Sequence, residues 1–135
     1  MALSALEREL EGILLLALNG SIILGEESAF LQKTFADLLE RGQRNVVADL
    51  KHVARIDSTG LGTLVYGHTK FVKAGGALKL LNLSKRHIEL LVLTKLSTIF
   101  EIYDDEQNAV DSFFPDRRAR KFDILTFVRQ HDIEP

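Results

Sequence analysis

Asp57-Ser58-Thr59-Gly60-Leu61-Gly62 places a carboxylate, two hydroxyls and two glycines within six residues. The run Val46-Val47-Ala48-Asp49-Leu50 before it reads as a buried strand, and the residues after it carry helical spacing to about Ala74. At such a junction Ser58 is expected to be the N-cap, its hydroxyl accepting from N–H groups that the first helical turn leaves unpaired. Those N–H groups and the helix dipole also favour negative charge. A phosphate on Ser58 would be tolerated by the fold while changing what a partner meets. Thr59 adds a second hydroxyl, and Asp57 is either a turn-forming side chain or a partner contact. Gly60 and Gly62, lacking Cβ atoms, would let a partner backbone approach closely.

Other chemistries find little support. The chain has no cysteine, which removes disulfides, thiolate metal sites and thiol nucleophiles. His52, His68, His87 and His131 are scattered without metal-ligand spacing, so no metal and no cofactor is expected. Ser58 does not sit in a Gly-x-Ser-x-Gly elbow, and no dinucleotide or phosphate-loop glycine pattern occurs, so an enzyme is not expected. His52, just before the motif, is the one histidine worth testing for chemistry. With 135 residues, 27% charged residues and a net charge of −2, the chain fits a single domain and gives no electrostatic footprint for nucleic acid or a membrane surface. The longest apolar run, Ile13-Leu14-Leu15-Leu16-Ala17-Leu18, is too short to span a bilayer, so a cytoplasmic protein is expected.

The elements that must position the motif read as follows. Asn19-Gly20 between the apolar runs 13–18 and 21–24 predicts an opening hairpin. Residues 26–41 have helical spacing through Leu31, Phe35, Leu38 and Leu39, with Gly42 as the stop. The helix after Ser58 presents Leu61, Leu64, Val65, His68 and Val72 and ends at Gly75-Gly76. A strand over 77–83, a short helix capped by Ser84, a strand over 99–102 and a helix capped by Asp104 or Asp105 complete the pattern. Alternating strands and helices imply right-handed crossovers. The predicted fold is α/β, a mixed, mostly parallel β-sheet with an N-terminal antiparallel hairpin and helices packed on it. Residues 1–10 form an N-terminal segment, 11–114 the domain and 115–135 a C-terminal extension. In that extension the cluster Arg117, Arg118, Arg120 and Lys121 reads as a solvated turn, and Phe122, Leu125 and Val128 as a face packed on the body or a route to a homodimer.

Taken together these features resemble the STAS domain, the fold of the bacterial anti-sigma factor antagonists. Asp57-Ser58-Thr59-Gly60-Leu61-Gly62 is similar to that family's Asp-Ser-Ser-Gly-Leu-Gly signature, supported by Val47-Ala48-Asp49-Leu50 before it, Gly75-Gly76 after the helix, and Gly20. The second signature serine is Thr59 here. Gly20 is followed by Ser21-Ile22-Ile23 where many members carry an acidic residue, and Glu26 and Glu27 come slightly later. The resemblance implies partner switching. An anti-sigma factor with serine kinase activity phosphorylates the antagonist at the first signature serine, here Ser58, and a PP2C-type phosphatase reverses this. The unmodified antagonist binds the anti-sigma factor, and so controls transcription without touching nucleic acid. Residues 57–62 are then the expected partner-binding site. The alternative is a non-phosphorylated STAS scaffold or accessory subunit of a stress-signalling or lipid-transport complex.

Overall fold

The computed structural model describes residues 2–133. Five strands form one sheet in the order β1-β2-β3-β4-β5: β1 Ser4–Leu10, β2 Ile13–Ile22, β3 Asn45–Ile56, β4 Ala77–Leu81 and β5 Ile102–Tyr103. β1 pairs antiparallel with β2, and the remaining pairings are parallel. Helix α1 is Glu26–Glu40, α2 Ser58–Lys73, α3 Lys85–Leu93, α4 Glu106–Asp111 and α5 Ile124–His131. This is the mixed, mostly parallel α/β sheet that the sequence predicts.

The hairpin is displaced from its expected place. Its turn is Glu11-Gly12, both at positive φ (54° and 83°), closing the Leu10↔Ile13 pair. Two such residues give the twist that a two-residue hairpin needs. Residues 13–22 form one strand instead of two, because β2 must run unbroken to pair with β3 along its length. Asn19-Gly20 marks a register irregularity within β2. Gly20 has φ 126°, and a Cβ there would lie 2.0 Å from the Ala2 carbonyl oxygen. The glycine signal was therefore real, but it reports a close backbone approach and not a turn.

Parallel strands covered on both faces explain the continuous apolar runs. Leu14, Leu16 and Leu18 of β2 point to the face covered by α1 and α2, with Leu31, Phe35, Leu38, Leu64 and Phe71. Ile13 and Leu15 point the other way, with Val47, Tyr103, Ala109 and Val110 under α4. The sequence expectation for α2 holds at Leu61 and Leu64 but not at Val72, which is exposed; Phe71 is buried in its place, edge-on to Phe35 at 5.7 Å. Lys79 is the buried charge on the α4 side. Its Nζ lies 3.2 Å from Glu101 Oε1 and 2.9 Å from Ser112 Oγ, the pairing that makes burial tolerable.

The described part of the extension, residues 115–133, folds back. Phe122 N–H donates to the Ile102 carbonyl at 2.8 Å, and Phe127 and Ile133 pack on Ile88 and Val92 of α3. The packed face therefore differs from the expected one: Leu125 is 69% exposed while Phe127 is buried. Arg117 lies over the Phe114 ring and pairs with Glu11 at 2.7 Å and Asp111 at 2.9 Å, so this exposed residue of the basic cluster also clasps the hairpin turn.

Candidate functional site

β2 ends at Ile22, and β3 runs on to Ile56, so the start of α2 lies beside the loop that leads from β2 to α1. Asp57, not Ser58, is the N-cap. Its backbone is extended (φ −97°, ψ −177°), and its Oδ1 accepts from Gly60 N–H at 2.8 Å. Its Oδ2 accepts from Leu24 N–H at 2.9 Å, and its own N–H donates to the Ile22 carbonyl at 3.3 Å. The aspartate wins the cap because its second oxygen can also hold the neighbouring loop, which a serine hydroxyl cannot do. These N–H donors, Leu24 first and Gly60 next, hold the carboxyl below its usual value of 3.8, against a smaller opposing effect of burial. Ser28 fixes the other side of the loop, its Oγ donating to the Ile23 carbonyl at 2.7 Å.

Ser58 becomes the first residue of the helix and is exposed. Thr59 is half-buried, and its carbonyl accepts from Thr63 Oγ1 at 3.1 Å. Gly60 is buried: a Cβ would meet the Ile22 carbonyl oxygen at 1.8 Å, so the backbone it admits is this chain's own and not a partner's. Leu61 is buried in the core between sheet and helix, whereas Gly62 is exposed with open space around its Cα. Thus the predicted residues divide. Asp57, Gly60 and Leu61 build the platform, and Ser58, Gly62 and part of Thr59 form its outer surface.

Three surface residues were not singled out from the sequence. Tyr66 follows Ser58 and Gly62 at intervals of four, so the three line one exposed face of α2, and Lys70 continues it with Nζ 5.4 Å from the Tyr66 ring centroid. The spacing was visible in the sequence; the exposure was not. Leu24 is 71% exposed, and its backbone is tied to Asp57. No sequence spacing relates Leu24 to Ser58, because only the parallel β2–β3 pairing brings them together.

The histidines do not gather at this site. His52 is exposed within β3, five residues before Asp57. His68 stands edge-on to Phe100 at 5.3 Å, and His131 stacks on Phe127 at 4.1 Å. Among the described residues no group of His, Cys, Asp or Glu side chains could hold a metal ion, and no helix is long and apolar enough to cross a membrane.

A family model for the STAS domain matches residues 5–109. The anti-sigma-B factor antagonist of Bacillus subtilis is 39% identical over 80 residues, spanning 59% of this chain and 72% of the relative. Among solved structures, an anti-sigma factor antagonist from Mycobacterium paratuberculosis superposes with TM-score 0.73 at 20% identity, covering 83% of this chain and 94% of the other. The Bacillus cell fate determinant SpoIIAA, in its phosphorylated form, superposes with TM-score 0.62 at 14% identity, covering 81% and 98%. The sheet order, the helix placement and the matched residues lead to one assignment: the chain belongs to the STAS domain family.

Proposed function

We propose that this protein is an anti-sigma factor antagonist that binds an anti-sigma factor with serine kinase activity and is released when that kinase phosphorylates Ser58. A PP2C-type phosphatase restores the binding form. The observation that carries this reading is the division of the motif. Ser58 stands exposed at the first turn of α2, while its neighbours Asp57, Gly60 and Leu61 are committed to holding that turn on the end of β2. The 39% identity to an anti-sigma-B factor antagonist supports the partner class, and SpoIIAA, which shares the fold, has been solved phosphorylated.

The physics of the switch is local. A phosphoserine carries roughly −1.5 to −2 charges at neutral pH. The unpaired N–H groups of the first turn and the helix dipole stabilise that charge in the free protein. The adjacent Asp57 carboxylate is already ionised, so the modified surface becomes strongly negative beside Leu24, Gly62 and Tyr66. A partner that covers this surface must desolvate or repel the phosphate, and about 5.5 kcal/mol of differential affinity takes a complex from almost wholly bound to almost wholly free.

Cleavage after Arg55 and Lys70 releases the peptide 56–70, which carries Ser58, Thr59, Thr63 and Thr69. Fragment-ion masses of this peptide from the native cell are expected to place one phosphate on Ser58. Ser58→Ala is expected to abolish it and to hold the partner constitutively, and Ser58→Glu to lose the partner. An unphosphorylated peptide under every growth condition, with both variants binding the partner like wild type, would instead mean a constitutive STAS scaffold.

A further inference from the structure

The first turn of α3 buries an imidazole where a cation has no support. His87 is 3% exposed, and neither ring nitrogen has a hydrogen-bond partner. It is the third residue of the helix, and its N–H donates to the capping Ser84 Oγ at 3.2 Å. The positive end of the helix dipole therefore lies beside the ring. Lys85 and Arg86 stand in the same turn, and no acidic residue balances them there. Three charged side chains border the space next to the ring: Arg55 from the end of β3, and Arg86 and Glu89 from α3 itself. The α5 side chains that reach α3, Phe127 and Ile133, bring only apolar contacts. Burial pushes the ring's pKa below its ordinary 6.5, the Ala54 backbone partly offsets that fall, and Arg86 adds to it.

The helix that carries this ring is loosely seated. A cavity of about 380 Å³ lies between it and the end of β3, walled by Ile56, Leu90 and Leu93, and Leu93 is 56% exposed. Segments with few buried apolar contacts open at a lower cost than the whole fold. α3 in turn carries α5, through a cluster of Ile88, Val92, Phe127 and Ile133 that is separate from the two clusters covering the sheet. We propose that His87 is an acid-operated latch: its neutral ring holds α3 against the end of β3, and its protonation releases α3 together with α5 while the sheet stays folded. In the docked helix the added charge has no water, faces the dipole and sits beside Arg86; in the released helix it is solvated. Docking is fully supported above the ordinary value of 6.5, and that support is lost as pH falls from there towards the lower docked value. Release takes up one proton, so the opening equilibrium changes by at most about tenfold per pH unit. It uncovers Ile88, Val92 and Phe127, an apolar face that the neutral protein keeps covered. The latch does not depend on phosphorylation of Ser58.

The test follows amide hydrogen exchange of the full chain from about pH 7.5 to about pH 5.5, corrected for the intrinsic pH dependence of exchange. Protection of residues 86–93 and 124–131 is expected to fall about tenfold over that range, while residues 46–50 of β3 keep theirs. The His87 ring, followed through its own carbon-bound proton, is expected to titrate with a midpoint below 6.5 and in step with the α3 amides. His87→Leu, its fold checked by its own spectrum, is expected to flatten the pH dependence. Arg86→Glu leaves the ring in place and sets an anion beside it, and is expected to shrink the fall. Loss of protection in β3 together with α3, the same fall in His87→Leu, an unchanged fall in Arg86→Glu, or a ring midpoint at or above 6.5 would each overturn the proposal.

Discussion

Asp57 and Ser58 are neighbours with opposite duties. Both carboxylate oxygens of Asp57 are engaged inside the protein, on Gly60 and Leu24 N–H groups, and the Ser58 side chain is left outside. Loss of an N-cap costs about 0.5–2 kcal/mol, and Asp57 also secures a second segment. Asp57→Ala is therefore expected to lower stability by about 2 kcal/mol in urea unfolding, whereas Ser58→Ala should stay within about 0.5 kcal/mol of wild type. The pH dependence has a fixed sign. The folded pKa of Asp57 is depressed, so its contribution is fully present above the unfolded value near 3.8 and is lost as pH falls through the lower folded value. Urea midpoints followed downward from about pH 5 should fall less steeply in Asp57→Asn than in wild type. The two motif glycines provide a further contrast. Gly60→Ala drives a methyl group against the Ile22 carbonyl and should cost about 3 kcal/mol. Gly62→Ala enters open space on a helix and should gain up to about 1 kcal/mol.

Among the described residues, each α-helix except α1 starts on a side chain that fixes it. Ser84, Asp105 and Asp123 accept from His87, Asn108 and Thr126 N–H groups, as Asp57 does from Gly60. α1 begins at Gly25 without a side-chain cap, and Glu26 and Glu27 supply negative charge in its first turn instead. The cap residues of α3 and α4 were legible because Ser or Asp stands directly before an apolar-periodic run. The hairpin was not. Asn19-Gly20 is a better turn sequence than Glu11-Gly12, yet pairing with β3 along 14–22 outweighs the local preference. α5 depends on α3 for its burial. Phe127 packs with Ile88, Val92 and Ile133, so Phe127→Ala should cost about 3 kcal/mol in thermal or urea unfolding. The sheet should keep its native strand signals in that variant, because Phe127 does not reach it. Leu125→Ala, on the exposed face of the same helix, should be near neutral.

At the scale of the whole molecule, the sheet acts as a rigid base that brings the ends of β2 and β3 to the same edge as the first turn of α2. The exposed line Ser58, Gly62 and Tyr66, with Leu24 beside Asp57, is the surface offered to the partner under the proposed function. Tyrosines at interface centres often carry a large share of binding energy. Tyr66→Ala is expected to weaken partner binding about tenfold or more in calorimetry while leaving the unfolding midpoint within about 0.5 kcal/mol. The sequence by itself determined the fold class, the alternation of helices and strands from α1 to α4 and the motif at a strand–helix junction. Those are carried by periodicities and cap residues within a few positions of one another. Only the tertiary structure decided which motif residues face outward. The Leu24 tether, the Asp57 N–H bond to the Ile22 carbonyl and the glycine contact all join the start of α2 to residues 22–24, more than thirty positions earlier. That proximity arises from parallel strand pairing, a long-range interaction with no local trace in the spacing of residues. The same pairing shows why Ser58 is the exposed hydroxyl: a carboxylate can bridge two N–H groups from two segments, and Asp57 occupies the position where both meet.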